Sequence, residues 1–107
     1  MTVVVVATVS PKPGEEQAVR EALLAAIPQV HAEPGCVKYA LHEVAGDSTD
    51  LVFVEQWESA EALKVHGKAP ALAELGGALK GRLAKPLEVT RLTPVPAGTA
   101  EQGTISV

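Results

Sequence analysis

The sequence predicts an α+β fold with the element order β-α-β-β-α-β around an antiparallel sheet. Three patterns carry this reading. TVVVVATV (Thr2 to Val9) is a β-branched run, residues 19 to 30 hold an apolar stripe at three-and-four spacing, and CVKYALHEV and LVFVEQW lie at hairpin distance across a polar turn. Side chains alternate with period 2 on a strand and recur with period 3.6 on a helix, so these patterns specify strand, helix and hairpin. At 107 residues, 47% of them apolar and 21% charged, the chain suits one packed domain.

Taken in order, Thr2 to Val9 is apolar on both alternating faces, which marks a strand covered on both sides and central in its sheet. SPKPG (Ser10 to Gly14) stops it, and Glu15 and Glu16 place negative charge where a helix N-terminus favours it. Val19, Ala22, Leu23, Ala26, Ile27 and Val30 then form one helical face. Pro28 lacks a backbone donor and predicts a kink or early fraying before AEPG (Ala32 to Gly35) ends the helix. Cys36 to Val44 and Leu51 to Trp57 pair across AGDSTD. On the second of these strands Leu51, Phe53, Glu55 and Trp57 share one face, and Val52, Val54 and Gln56 the other. Ser59 is a suitable N-cap for a short helix from Ala60 to His66, which Gly67 ends.

A second helical piece begins near Pro70 and extends from Ala71 to Leu83, with Leu72, Leu75, Leu79 and Leu83 at helical spacing. Gly76, Gly77 and Gly81 weaken it by about 1 kcal/mol each relative to Ala, which predicts a pliable helix. Pro86 to Val95 is the last strand, so the domain covers residues 1–95 and leaves an aperiodic tail, residues 96–107. This is the ferredoxin-like arrangement, whose right-handed crossovers put both helical segments on one side of the sheet. Val3 to Val9 and Leu51 to Val54 are nevertheless apolar on both faces, and a homodimer packed sheet to sheet is the simplest way to cover the second one.

Composition removes several function classes. A net charge of −4 without a basic cluster disfavours nucleic acid as a partner. LVFVEQW also lacks the basic and glycine residues with which RNA-recognition sheets of this topology bind. The run Val3 to Val9 is too short to span a membrane and no positive residue precedes it, so no membrane partner is expected and the protein is placed in the cytoplasm. One cysteine, Cys36, allows no internal disulfide and fits that compartment. His31, His42, His66 and Cys36 show no close-set ligand spacing, so no metal site is expected; no nucleophile elbow or phosphate-binding glycine loop is present either. His31 and His42 are read as surface residues.

The stretch FVEQWESAEALKVH gathers the only Phe, the only Trp and one of three His residues. Phe53 and Trp57 share a strand face, and His66 shares the inward helix face with Ala62 and Leu63, so the three face one another. On pattern alone this is either a site or a core that uses its bulky residues there.

HAEPGCVKYALHE, followed by FVEQWESAEALKVHGKAPAL, resembles the antibiotic biosynthesis monooxygenase (ABM) family: a Glu-Pro-Gly-Cys turn, a Tyr strand, Glu-x-Trp and a His on the next helix, in matching order over about residues 3 to 95. The resemblance implies a dimeric α/β barrel with a pocket in each subunit between sheet and helices. By position it assigns Trp57 and His66 to that pocket as catalytic candidates, with Tyr39 beside them. Two positions depart from the family. Ala71 stands where many members have a second His, and the chain has no Asn, which the haem-degrading branch uses on its first strand.

The chemistry implied is oxidation of an electron-rich aromatic or quinol-type small molecule by molecular oxygen without metal or flavin cofactor. Such a substrate supplies an electron once deprotonated, so the protein need only bind it, remove a proton and stabilise charge. His66 is then the base, and Trp57, Phe53 and Tyr39 hold a flat ring by stacking. The same pocket also suits isomerisation of a small carbonyl compound or binding without turnover.

Overall fold

A computed structural model describes residues 2–105. It comprises β1 (Val3–Val9), α1 (Glu16–His31), β2 (Cys36–Glu43), β3 (Leu51–Trp57), α2 (Ala60–His66), α3 (Pro70–Leu79), β4 (Glu88–Leu92) and a short α4 (Ala100–Gly103). The sheet order is β2-β3-β1-β4 with every neighbour antiparallel, the ferredoxin-like α+β topology. β1 is internal, as its two apolar faces require.

In the β1–β3 register Val3 opposes Trp57, Val5 opposes Glu55, Ala7 opposes Phe53 and Val9 opposes Leu51. Period-2 alternation turns all eight toward the helices. There they meet Val19, Leu23, Ala26 and Val30 of α1 and Ala71, Leu75 and Leu79 of α3, which form the core. α1 runs unbroken to His31 although Pro28 lies within it. Both Pro28 and Leu24, whose carbonyl loses its donor, are exposed, so that carbonyl is on the side of the helix open to solvent and the expected disruption does not end the helix.

Two boundaries differ from expectation. α3 stops at Leu79 rather than Leu83: Lys80 leaves helical geometry, Gly81 takes φ +78°, and Arg82 N–H closes the end on the Leu79 carbonyl. Leu83 instead makes an isolated bridge to Pro11. The last strand is shorter than Pro86 to Val95, because its partner runs out: Leu92 pairs with Val4, β1 begins at Val3, and Pro94 carries no donor. β4 is an exposed edge strand along its whole length.

Val4, Val6, Thr8, Val52, Val54 and Gln56 point to the opposite side of the sheet. The chain's own tail reaches part of it. Thr99 caps α4, accepting from Gln102 N–H, and the Ile105 carbonyl accepts a 3.4 Å hydrogen bond from the buried Gln56 side chain. Val6, Val52 and Val54 remain half-buried. No helix among the described residues is long and apolar enough to cross a membrane.

Gly35 decides how the α1–β2 turn meets α2. Its φ is +80°, and a Cβ there would sit 2.4 Å from the Ala62 Cβ. Gly35→Ala is therefore expected to lower stability by about 2 kcal/mol or more, whereas Gly76→Ala, on the open side of α3 with nothing within 4 Å, should add about 0.5–1 kcal/mol. Denaturant unfolding of both variants measures the two signs.

Candidate active site

Between the sheet and the helices lies a cavity of about 200 Å3, walled by Tyr39, Phe53 and Glu55 of the sheet, Leu63 and His66 of α2, and Leu72, Leu75 and Leu79 of α3. Its rim is Leu87, Val89 and Arg91 at β4. An apolar cavity of about 150 Å3 holds one benzene ring, so this one fits a single substituted ring.

His66 is buried at the end of α2, where Ser59 starts the helix by accepting from Ala62 N–H. Its Nδ1 donates to Glu33 Oε1 at 2.7 Å. A carboxylate can only accept, so this bond holds the proton on Nδ1 and leaves Nε2 as the basic nitrogen. Glu33 comes from the Glu-Pro-Gly-Cys turn, and Gly35 is what lets that turn lie against α2 at this range. Glu33 Oε2 is buried and has no hydrogen-bond partner among the described residues.

Glu55 is also buried, and its Oε1 accepts from the Trp57 indole N–H at 3.0 Å. Burial pushes its carboxyl above the usual carboxylate range; the Trp57 hydrogen bond and the His66 charge oppose that shift, and Glu33 adds to it. Tyr39 stacks on Phe53 with ring centroids 4.3 Å apart and meets His66 edge-on at 5.6 Å. Burial, reinforced by Glu55 and Glu33, pushes the Tyr39 hydroxyl strongly upward, so Tyr39 stays protonated and presents a ring and a donor. Burial likewise pushes the Cys36 thiol up, which makes it a poor nucleophile.

His66, Tyr39 and Phe53 thus line one cavity, while Trp57 does not reach it. The indole is fully buried behind the wall, 4.5 Å from the His66 ring, where it supports His66 and Glu55 from the side away from the cavity. His31 and His42 are exposed and their ring nitrogens meet the backbone carbonyls of Tyr39 and Ala40. No group of three or more metal-ligating side chains occurs among the described residues. Sequence reasoning missed Glu33 and Arg91. Glu33 stands 33 positions from His66 and only the fold unites them, whereas an alternation count continued onto Glu88–Leu92 would have turned Arg91 inward with Val89.

Because the Glu55 carboxyl is raised above its unfolded value of 4.5, the folded state holds that proton more tightly. Its stabilising contribution is complete below that value and is lost as pH rises through the raised folded one. Glu55→Gln, which cannot ionise, is therefore expected to gain melting temperature relative to the parent protein as pH increases from about 4 to 8. Paired thermal scans across that range test the sign.

Residues 2–75 match the family described as Antibiotic biosynthesis monooxygenase (ABM). Among solved structures, Rv0793 from Mycobacterium tuberculosis superposes with a TM-score of 0.84 at 33% identity, covering 92% of this chain and 100% of that one. PA3566 from Pseudomonas aeruginosa gives 0.81 at 26% identity, over 88% of this chain and 94% of its own. A Caulobacter crescentus CB15 protein, provisionally described as an antibiotic biosynthesis monooxygenase, gives 0.81 at 26% identity over 88% and 90%. No functionally curated protein matches the sequence. With the family match spanning β1 to α3 and a 33% identical structure aligned over nearly all of the chain, the protein belongs to the antibiotic biosynthesis monooxygenase family.

Proposed function

We propose that the protein is a cofactor-independent monooxygenase acting in the cytoplasm on a single-ring quinol or similarly electron-rich phenol. The observation that carries this is the 2.7 Å Glu33–His66 hydrogen bond at the wall of an apolar, ring-sized cavity lined by stacked Tyr39 and Phe53. His66 Nε2 takes the phenolic proton, and Glu33 stabilises the imidazolium that results. The phenolate passes an electron to oxygen, and the charged imidazole stabilises the reduced oxygen anion. One oxygen atom then bonds to ring carbon, the other leaves as water, and a hydroquinone ends as a hydroxyquinone. The substrate supplies all the electrons, so no external reductant is needed.

Trp57 acts on this chemistry by holding Glu55 and packing on His66, while Tyr39 and Phe53 stack the ring. The functional unit in this reading is a homodimer, since Val6, Val52, Val54 and Leu92 leave an apolar surface on the side of the sheet away from the helices. A second reading follows from Glu55: a buried carboxyl held toward its protonated form beside a histidine base is also suited to isomerising a small carbonyl compound.

Oxygen uptake with a hydroquinone panel on metal-free protein tests the first reading. Turnover should yield products with one added oxygen and two fewer hydrogens, and product formed without oxygen consumption would select isomerisation instead. His66→Ala should lower turnover by about 100-fold or more with little change in melting temperature, and Glu33→Gln by a smaller factor, about tenfold. Loss of stability without loss of activity would assign His66 to packing alone. Light scattering should give twice the chain mass.

A further inference from the structure

Four residues on four strands lie in one row across the sheet. Tyr39 pairs with Glu55, Glu55 with Val5, and Val5 on its other edge with Arg91. All four line the cavity. Residues paired across a sheet point the same way, and each strand adds roughly 4.8 Å, so Arg91 stands on the helix side roughly 10 Å from Glu55 with only Val5 between them. The cavity is therefore polar at two ends: Glu55, His66 and Tyr39 at the closed end, and a guanidinium at the rim.

That guanidinium has no structural task of the kind its neighbours have. Arg20, Arg82 and Lys85 are each paired with a carboxylate, to Glu43, Glu15 and Glu88 respectively, whereas Arg91 makes no ion pair among the described residues. Leu87 and Val89 beside it are about half-exposed, so the rim is apolar around a single positive charge. The buried Glu55 lines the far end beside His66, whose hydrogen-bond partner is Glu33. An anionic group on a ligand would lose its water at that end, whereas at the rim it meets Arg91, and a planar carboxylate matches the guanidinium fork in two parallel hydrogen bonds.

We propose that Arg91 selects a single-ring hydroxylated aromatic acid, binding its carboxylate at the rim and directing the ring hydroxyl to His66. The assignment of the hydroxyl end rests on the monooxygenase reading; the charge preference rests on the row itself. Charge thereby sets orientation as well as affinity, since the reversed pose would bury the carboxylate beside Glu55 and leave Arg91 without it.

The test compares anaerobic binding of 2,5-dihydroxybenzoate with that of its uncharged isostere 2,5-dihydroxybenzamide, read from the fluorescence of Trp57, the only tryptophan. The acid should bind about tenfold or more tightly than the amide. Arg91→Gln should abolish that preference while leaving amide affinity and melting temperature unchanged, and Arg91→Lys should restore part of it. Equal binding of the pair by the parent protein, no binding of either, or a preference that survives in Arg91→Gln would overturn the proposal. His66→Ala should keep the preference. A retained preference with no oxygen uptake would thus refute the monooxygenase reading alone, whereas oxygenation of neutral quinols with no preference for acids would refute the role of Arg91 alone.

Discussion

The burial of Glu55 is the constraint around which the rest of this small domain is arranged. β3 lies between β1 and β2, and its alternation sends Leu51, Phe53, Glu55 and Trp57 to the same helix-covered face. A carboxyl group cannot be placed among such neighbours without a hydrogen-bond partner or a proton. Here Trp57 supplies the partner from two residues along the same strand, and the raised carboxyl range supplies much of the rest. A core built only for stability would put an apolar residue at position 55. The cavity, the histidine and the second carboxyl all lie within reach of this one costly choice.

His66 depends on a different economy of backbone. The helix that carries it is only seven residues long and is capped by Ser59, so its last residue is placed by its start. Glu33 must reach it from a turn that belongs to neither α2 nor the sheet. That reach requires the turn to press against Ala62, and Gly35 alone can do so, both in its positive φ and in the space a side chain would fill. The Glu58 N–H bond to the Gly35 carbonyl ties the same turn to the end of β3. Glycine chemistry in one loop therefore fixes the geometry of a hydrogen bond between two other side chains.

Much of this was legible in the sequence, and the division has a physical cause. Periodicity is a local property, so the order of elements along the chain, the α1 stripe of Val19 to Val30 and the shared face of Phe53, Glu55 and Trp57 could all be counted off directly. So could the inward side of His66, from Ala62 and Leu63. What periodicity cannot give is which of two buried aromatic residues touches empty space. Trp57 and Phe53 share a face, yet Phe53 borders the cavity and Trp57 lies behind it, because α2 ends over Trp57 while the middle of the sheet is left partly uncovered. Gly67 marked the end of α2, but the end of α3 was out of reach: Leu83 continues the spacing of Leu72, Leu75 and Leu79, and only the αL turn at Gly81 shows that the chain has already left the helix.

The placement of the cavity follows from the helices being too few for the sheet. α1 contacts β2 and packs on α3, and α2 covers the end of β3. β4 is exposed along its whole length, so Leu87, Val89 and Arg91 bound an opening instead of a core. An edge strand that carries exposed apolar residues is ordinarily a liability for association. At a cavity rim the same residues form a surface over which a ring can pass, and β4, the least covered strand of the sheet, is the element whose side chains can change most freely. The wall near His66 is fixed by the packing of Trp57, Glu55 and Glu33; the rim at β4 is fixed by little beyond its pairing with β1. In the reading proposed above, the chemistry would lie at the His66 end of the cavity and the choice of what enters it at the β4 rim.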